Sequence, residues 1–484
     1  MNRTRELGTE PIGKLLRQYA VPAIIAMVAS SLYNWVDTIF IGHLGEGVGA
    51  SSITALGIVF PLMNISTAIG SMVGVGASTM ISVRLGQKNH AEAQQYFGNA
   101  VTLKLLTGFI FGALSLIFLV PILRLFGASD EVLPYACEYM KWILYGNVFT
   151  HLYFGLNGIL RSAGHPRKAM YATIITVVLN AILDPIFIFA LGMGLKGAAI
   201  ATVLAQMVCL VWQVSIFRDP ECVVHFQQGI YRLRGRIVKG IFAIGLSPFL
   251  MHVCSCLVVL VLNRGMLAYG GDMAVGAYSL VNKTMFLFAM FVMGLNQGMQ
   301  PIAGYNYGAG FMPRVHEVLR RAIFFATICM TIAWLLAELV PQFMLRIFTD
   351  DPALLAHAVP GMRIFSAVFP VVGFQMVTSN YFQSIGQATK SIYLSLSRQL
   401  IFLIPGLLLF PLLWGLDGVW IAIPVSDGVA TVNAAVLLWL HVKGSRGKGQ
   451  GSAADGSRLR TRLRRHHWRK ISHMHVDEEN WSSF

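Results

Sequence analysis

Apolar residues in this chain arrive in long blocks rather than in alternation. Twelve such runs, with short polar interruptions, fall near Leu15–Ile41, Ile53–Met80, Phe97–Val120, Val132–Leu160, Ala169–Ala190, Gly197–Phe217, Ile237–Leu262, Val275–Ile302, Ala322–Pro341, Ala353–Phe382, Ile392–Leu413 and Val419–Val442. About 20 apolar residues in helical form cross a bilayer's hydrocarbon core, and each run reaches that length. Buried in lipid, a segment of this kind satisfies its backbone groups internally only as a helix. The pattern therefore predicts an all-α polytopic membrane protein with twelve transmembrane helices.

The basic residues between the runs sort by side. Arg84, Lys88, Arg161, Arg167, Lys168, Arg218, Arg232, Arg234, Arg236, Lys239, Arg314, Arg320, Arg321, Lys390 and Arg398 fall on one side. Arg124, Lys141, Lys196, Arg264 and Arg346 fall on the other. The positive-inside rule places the first set, and with it both termini, in the cytoplasm. The N-terminal stretch MNRTRELGTEPIGKLLRQYA is polar and lacks a small-residue cleavage site, so the first span is expected to act as its own insertion signal.

Composition agrees. The 484 residues are 55% hydrophobic and 12% charged, about half the charge of a soluble domain. The net charge of +15 is no sign of nucleic-acid binding. The tail from Lys443 carries ten Lys/Arg against four acids, and most of the remainder sits in the loops. Six scattered cysteines show no metal-site spacing and read as reduced, buried thiols.

The two halves resemble each other. At a shift of 222, Gly76 meets Gly298, Gly86 meets Gly308, and Arg124-Leu-Phe meets Arg346-Ile-Phe. Lys196-Gly-Ala-Ala-Ile-Ala meets Asp417-Gly-Val-Trp-Ile-Ala after one deletion. Two six-helix bundles in the same orientation are implied, residues 1–217 and 236–443, with a charged, partly helical linker at 218–235. Duplicated bundles around a midplane site are a transporter plan. Residues 444–484, rich in Gly, Ser and Arg, read as a disordered basic tail.

Acids well inside spans are few: Asp37, Asp184 and Asp427. In the fifth run Thr173, Thr176, Asn180 and Asp184 stand three, four and four apart, on one helical face. Pro185 follows, frees the carbonyl of Ala181 and breaks the helix. In the first run Ser30, Asn34 and Asp37 share a face; in the sixth, Thr202 and Gln206 do. An acid in hydrocarbon is expensive and normally faces a protein interior or wet cavity. Two carboxylates at low dielectric cannot both stay ionised unless a cation joins them, so the pair is suited to exchange a proton for Na⁺. The plainer reading is a buried Asp capping a broken helix. Helices seven and eleven carry no matching acids, so cation chemistry is assigned to the first bundle. Lys104, Lys283 and Arg363 also lie in or near spans. The Met-rich stretch 283–300 suits either adaptable binding or ordinary packing.

Taken together, VDTIFIGHLG (36–45), NAILDPIF (180–187), GAAIATVLAQ (197–206), RLGQKN and YNYGAG resemble the MATE (multidrug and toxic compound extrusion) family, over about Gly13 to Val442. The missing acids in helices seven and ten lean toward its DinF/MepA-like branch. The resemblance implies two pseudo-symmetric lobes making a V-shaped cleft in the bacterial inner membrane. It further implies export of drugs or organic cations in exchange for Na⁺ or H⁺, without a cofactor and as a monomer. It maps the cation site onto Asp37, Asn180, Asp184 and Thr202. Tyr33, Asn34, Asn157, Thr173 and Gln206 are the candidate substrate-lining residues. A lipid-linked oligosaccharide flippase is the nearest rival, disfavoured by twelve spans and an acidic first bundle. An intramembrane aspartyl protease would need a GxGD-type motif, whereas Asp184 sits in Leu-Asp-Pro.

Overall fold

The computed structural model describes the backbone of residues 2–42 and 48–472 and the side chains of 4–443, those of 33–39, 42–51 and 53 excepted. All regular structure among the described residues is helical. In order the helices are α1 (Asn2–Thr9), α2 (Ile12–Gly42), α3 (Val48–Gly86), α4 (His90–Ile117), α5 (Leu119–Leu125), α6 (Leu133–Tyr145), α7 (Asn147–Ser162), α8 (Pro166–Pro185), α9 (Gly194–Phe217) and α10 (Gly235–Gly308). There follow α11 (Met312–Leu339), α12 (Pro341–Arg346), α13 (Pro352–Ser366), α14 (Phe369–Ser384), α15 (Ala388–Leu396) and α16 (Ile404–Ser472). Two π-helical turns, Ile186–Ala190 and Ser397–Leu403, continue α8 and α15.

Eight helical stretches are long and apolar enough to cross a membrane. Two of them are double. Gly271 (φ 66°) interrupts α10 and Gly415 (φ 57°) interrupts α16, a left-handed conformation that glycine adopts without steric cost. The pair α13 and α14, bent by 54°, counts as one more span, and α6 and α7, each too short to cross alone, together occupy the fourth apolar run. Each of the twelve overlaps one of the twelve apolar runs.

The repeat is written into the backbone. Gly146 separates α6 from α7, and its mate at a shift of 222, Val368, lies between α13 and α14. An added Cβ on Gly86 would run into Tyr305 O, and one on Gly308 would run into Val83 O. Tyr305 is itself the mate of Val83, so the two contacts are the same contact seen from each half. Gln300 Nε2 donates to Ser78 Oγ at 3.1 Å. These residues are also mates 222 apart, and a residue bonded to its own counterpart lies on the pseudo-two-fold axis.

Further close approaches between the halves are Gly76 on Ile241, Gly245 on Met72, Gly294 on Ile24 (2.5 Å to an added Cβ) and Gly298 on Ala20. All involve the end of each helix that also carries Gly86, Gly308 and the starts of α2 and α10. Polar cross-half bonds cluster there too. Asn306 Nδ2 donates to Leu7 O at 2.9 Å, and Arg314 Nη2 to Glu10 O at 2.6 Å.

Residues 218–234 are irregular, against the expectation of part helix. The reason lies on α4, whose side chains take the linker's backbone groups. Asn99 Nδ2 donates to Ile230 O (3.1 Å) and Arg232 O (3.2 Å), Thr102 Oγ1 donates to Tyr231 O (2.9 Å), and Gln94 bonds both N and O of His225. Val224 and Ile230 are buried in the same core as Phe97 and Phe217. At the other end of the chain, helical backbone runs on to Ser472 through a stretch whose composition predicts disorder; its Arg and Leu residues are good helix formers.

Candidate functional site

Asp184 is fully buried and Asn180 is 1% exposed. Asn180 Nδ2 donates to Asp184 Oδ1 at 3.1 Å and faces Thr202 Oγ1 of α9 at 3.4 Å. Thr202 in turn donates its hydroxyl to Ala198 O at 3.0 Å. That bond uses its proton and leaves its oxygen lone pairs toward Asn180. Asn180 Oδ1 is buried with no hydrogen-bond partner among the described residues. Three oxygen-bearing side chains thus meet between α8 and α9. Hard cations prefer oxygen donors of this sort, and a cation would also satisfy the orphaned amide oxygen.

The local sequence explains the geometry. Pro185 has no N–H and removes a helical bond beneath Asp184. The chain answers with the π-turn Ile186–Ala190, in which Leu191 N bonds Ile186 O at 2.9 Å. Such turns break the side-chain register and recur at functional sites. Gly197 then lets α9 press onto that turn: an added Cβ would stand 2.7 Å from Phe187 C. From Gly197, the next turn and a half of α9 brings Thr202 beside Asn180. α2 packs along α8. Asp37, Tyr33 and Asn34 are on α2, but their side chains lie outside the described residues.

The substrate-lining candidates are placed as follows. Asn157 (5% exposed) and Thr173 meet each other at 3.3 Å, and Asn157 Nδ2 also donates to Ala169 O at 2.9 Å. Both therefore stitch α7 to α8. Gln206 Oε1 accepts from Thr150 Oγ1 at 2.5 Å, tying α9 to α7.

Sequence reasoning missed one element. Arg398, counted above as a loop charge, lies inside the π-turn Ser397–Leu403 and donates to buried Asp427 Oδ1 at 2.8 Å. It stands ten residues into the span from Ala388, about 15 Å along the axis. The signal was present in Asp427, an acid inside a span that needed a partner. Losing Arg398 from the cytoplasmic set leaves the side-to-side asymmetry intact. Of the other charges, Lys104 is 3% exposed and donates to Gly70 O at 2.5 Å, in a niche shaped by Gly74 and Gly155. Arg363 lies beside Glu338, 3.8 Å apart and exposed. Met285, Met290 and Met299 are buried and spent on packing.

A family model described as MatE matches this chain twice, at residues 22–186 and 244–408. The chain belongs to the MatE family. The two matches are offset by 222, the shift read from the sequence. MatE proteins are transporters rather than enzymes, which closes the protease reading. Among solved structures, the MATE multidrug transporter DinF-BH is 38% identical. That match covers 89% of this chain and 96% of DinF-BH, with TM-score 0.82. An outward-facing multidrug resistance MATE family transporter of the MOP superfamily is 26% identical, covering 92% and 98%, with TM-score 0.86. The multidrug export protein MepA of Staphylococcus aureus (strain N315) is 26% identical over 430 residues, 89% of this chain and 94% of MepA. The twelve-span fold and the MatE assignment therefore agree.

Proposed function

We propose that this protein is a secondary active multidrug antiporter that exports drugs or organic cations in exchange for inward Na⁺ or H⁺. The observation that carries the reading is the buried oxygen cluster of Asn180, Asp184 and Thr202 on α8 and α9; α2, which packs along α8, bears Asp37 in its sequence. A carboxylate site that takes up and gives up a cation changes its local charge. Only a ligand with different affinity for two states shifts their balance, and ion occupancy supplies that difference. The names of DinF-BH and MepA support drugs as the cargo class.

In this reading residues 1–217 and 236–443 are the two lobes, 218–235 links them, and 444–484 is a tail that transport does not need. Both termini are cytoplasmic in the bacterial inner membrane, and the protein acts as a monomer. The cross-half contacts then all lie on the cytoplasmic side, which supports an outward-open state. The test is dye efflux from vesicles driven in turn by an imposed Na⁺ gradient and an imposed pH gradient. One gradient should drive export by the parent protein, and Asp184→Asn should reduce it at least tenfold at unchanged expression. Undiminished export by Asp184→Asn and Asp37→Asn would reject the assignment.

A further inference from the structure

Away from the cation site, α6 and α9 enclose a cavity of about 550 Å³. Its walls include Glu138, Lys141, Trp142 and Tyr145 of α6 and Lys196 of α9. Lys196 Nζ lies 5.5 Å from the centroid of the Trp142 ring, and Trp142 meets Tyr145 edge to face at 5.8 Å. Two ammonium groups thus stand against one carboxylate, and Glu138 is exposed while Lys196 is half-buried.

We propose that this cavity binds the phosphate-bearing headgroup of an anionic phospholipid. Three observations point to one occupant. The first is charge: two lysines stand against one glutamate, so the cavity is net positive and favours an anionic headgroup on the outer side, where the basic-residue pattern places it. The second is depth. Lys196 is two residues past the start of α9, where a transmembrane helix leaves the hydrocarbon, and Trp and Tyr concentrate at that level. The third is what lies beneath. α7 and α9 cross tightly where an added Cβ on Gly146 would run into Val203. Beside that crossing Phe149, Leu204 and Val208 are exposed, an apolar seam fit for acyl chains. A free anion would have no use for the seam.

The site also touches the machinery. The α7–α9 crossing continues to the Thr150–Gln206 bond, and Gln206 is one helical turn from Thr202. A lipid held there braces the helix that carries Thr202.

The experiment uses the full chain in detergent, titrated with short-chain phosphatidylglycerol, short-chain phosphatidylcholine and inorganic phosphate. The readout is thermal unfolding, with bound lipid counted by native mass spectrometry. Phosphatidylglycerol alone should stabilise saturably. Lys141→Gln and Lys196→Gln should each weaken it about fivefold and the double variant at least tenfold. Lys141→Arg and Lys196→Arg should bind as the parent does. If the Gln pair does not fold, Trp142→Leu gives the same reading, since it removes the aromatic wall beside Lys196 and should weaken phosphatidylglycerol a fewfold. Unaltered binding by the double variant or by Trp142→Leu overturns the site. An equal response to phosphatidylcholine or to phosphate alone overturns an anionic lipid as its occupant.

Discussion

The fifth and eleventh spans occupy matching places in the repeat and have diverged in chemistry. On α8 the face reads Thr173, Thr176, Asn180, Asp184. Their mates at a shift of 222 are Ser395, Arg398, Phe402 and Gly406. Asn180 and Asp184, the pair proposed above to hold the cation, are thus replaced by a phenylalanine and a glycine. In the second half the acid has moved to the partner helix, at Asp427, and a guanidinium sits on it at 2.8 Å. In the first half the bond described to Asp184 comes from a neutral amide. A carboxylate ion-paired with an arginine has its charge matched within the protein and so has less to offer a free ion. An amide donor brings no charge of its own to the acid. One duplicated frame thus holds a matched ion pair in its second half and, in the reading proposed above, a cation cluster in its first.

The sharpest way to break this comparison is to treat the two acids alike. Asp184→Asn is expected to abolish gradient-driven export, a loss of at least tenfold, while the protein still folds, because Asn keeps the shape and one acceptor. Asp427→Asn should do the reverse. Removing one partner of a buried pair costs about 3–5 kcal/mol by leaving the other charge uncompensated. Arg398 is partly exposed, which places the effect toward the lower end. Expression and unfolding temperature should therefore fall, while the protein that does fold exports normally per molecule. The double variant Arg398→Met/Asp427→Leu should regain most of the lost stability. If Asp427→Asn uncouples transport in well-folded protein, the halves are not divided as described.

Next in size is the shared contact on the pseudo-axis. Gly86→Val and Gly308→Val each place a side chain where the other half's backbone runs. By symmetry they should act alike, both opening the end where the halves meet. Cysteines introduced singly beside that end should label several-fold faster in both variants. A response confined to one of the two would show that the repeat no longer governs this interface.

Much of this was legible in the sequence because the bilayer is a strict solvent. It demands runs of fixed length, so twelve spans and the repeat could be read directly. The Asn180–Asp184 spacing placed both on one face. What stayed hidden depends on partners far along the chain. Arg398 looked like a loop residue because it sits near the edge of an apolar run, and only Asp427, 29 residues on, gives it a place. The linker reads as part helix locally, yet Asn99, Gln94 and Thr102 of α4 hold it extended. Asn157 and Thr173 looked like cleft residues, but polarity in a span does not say whether a hydroxyl meets a ligand or a neighbouring helix, and their bond to each other came only with the structure.

That last pair supplies the mildest test, and it separates the two kinds of polar face. Thr173 donates to Ala169 O at 3.2 Å and accepts from Asn157 at 3.3 Å. Thr173→Val keeps the shape and removes both bonds. One net hydrogen bond is worth about 1 kcal/mol, and a hydroxyl bonded back to the preceding turn adds little to a helix. Unfolding should therefore shift by at most a few degrees, and dye export should change by less than about threefold. The mate substitution Ser395→Ala removes a hydroxyl bonded to Ser379 at 3.1 Å and should be equally mild. A tenfold loss of export in Thr173→Val with normal stability would instead make that hydroxyl a cargo contact. The functional face of α8 would then extend two turns further, from Asp184 down to Thr173, than the Asn180–Asp184–Thr202 cluster requires.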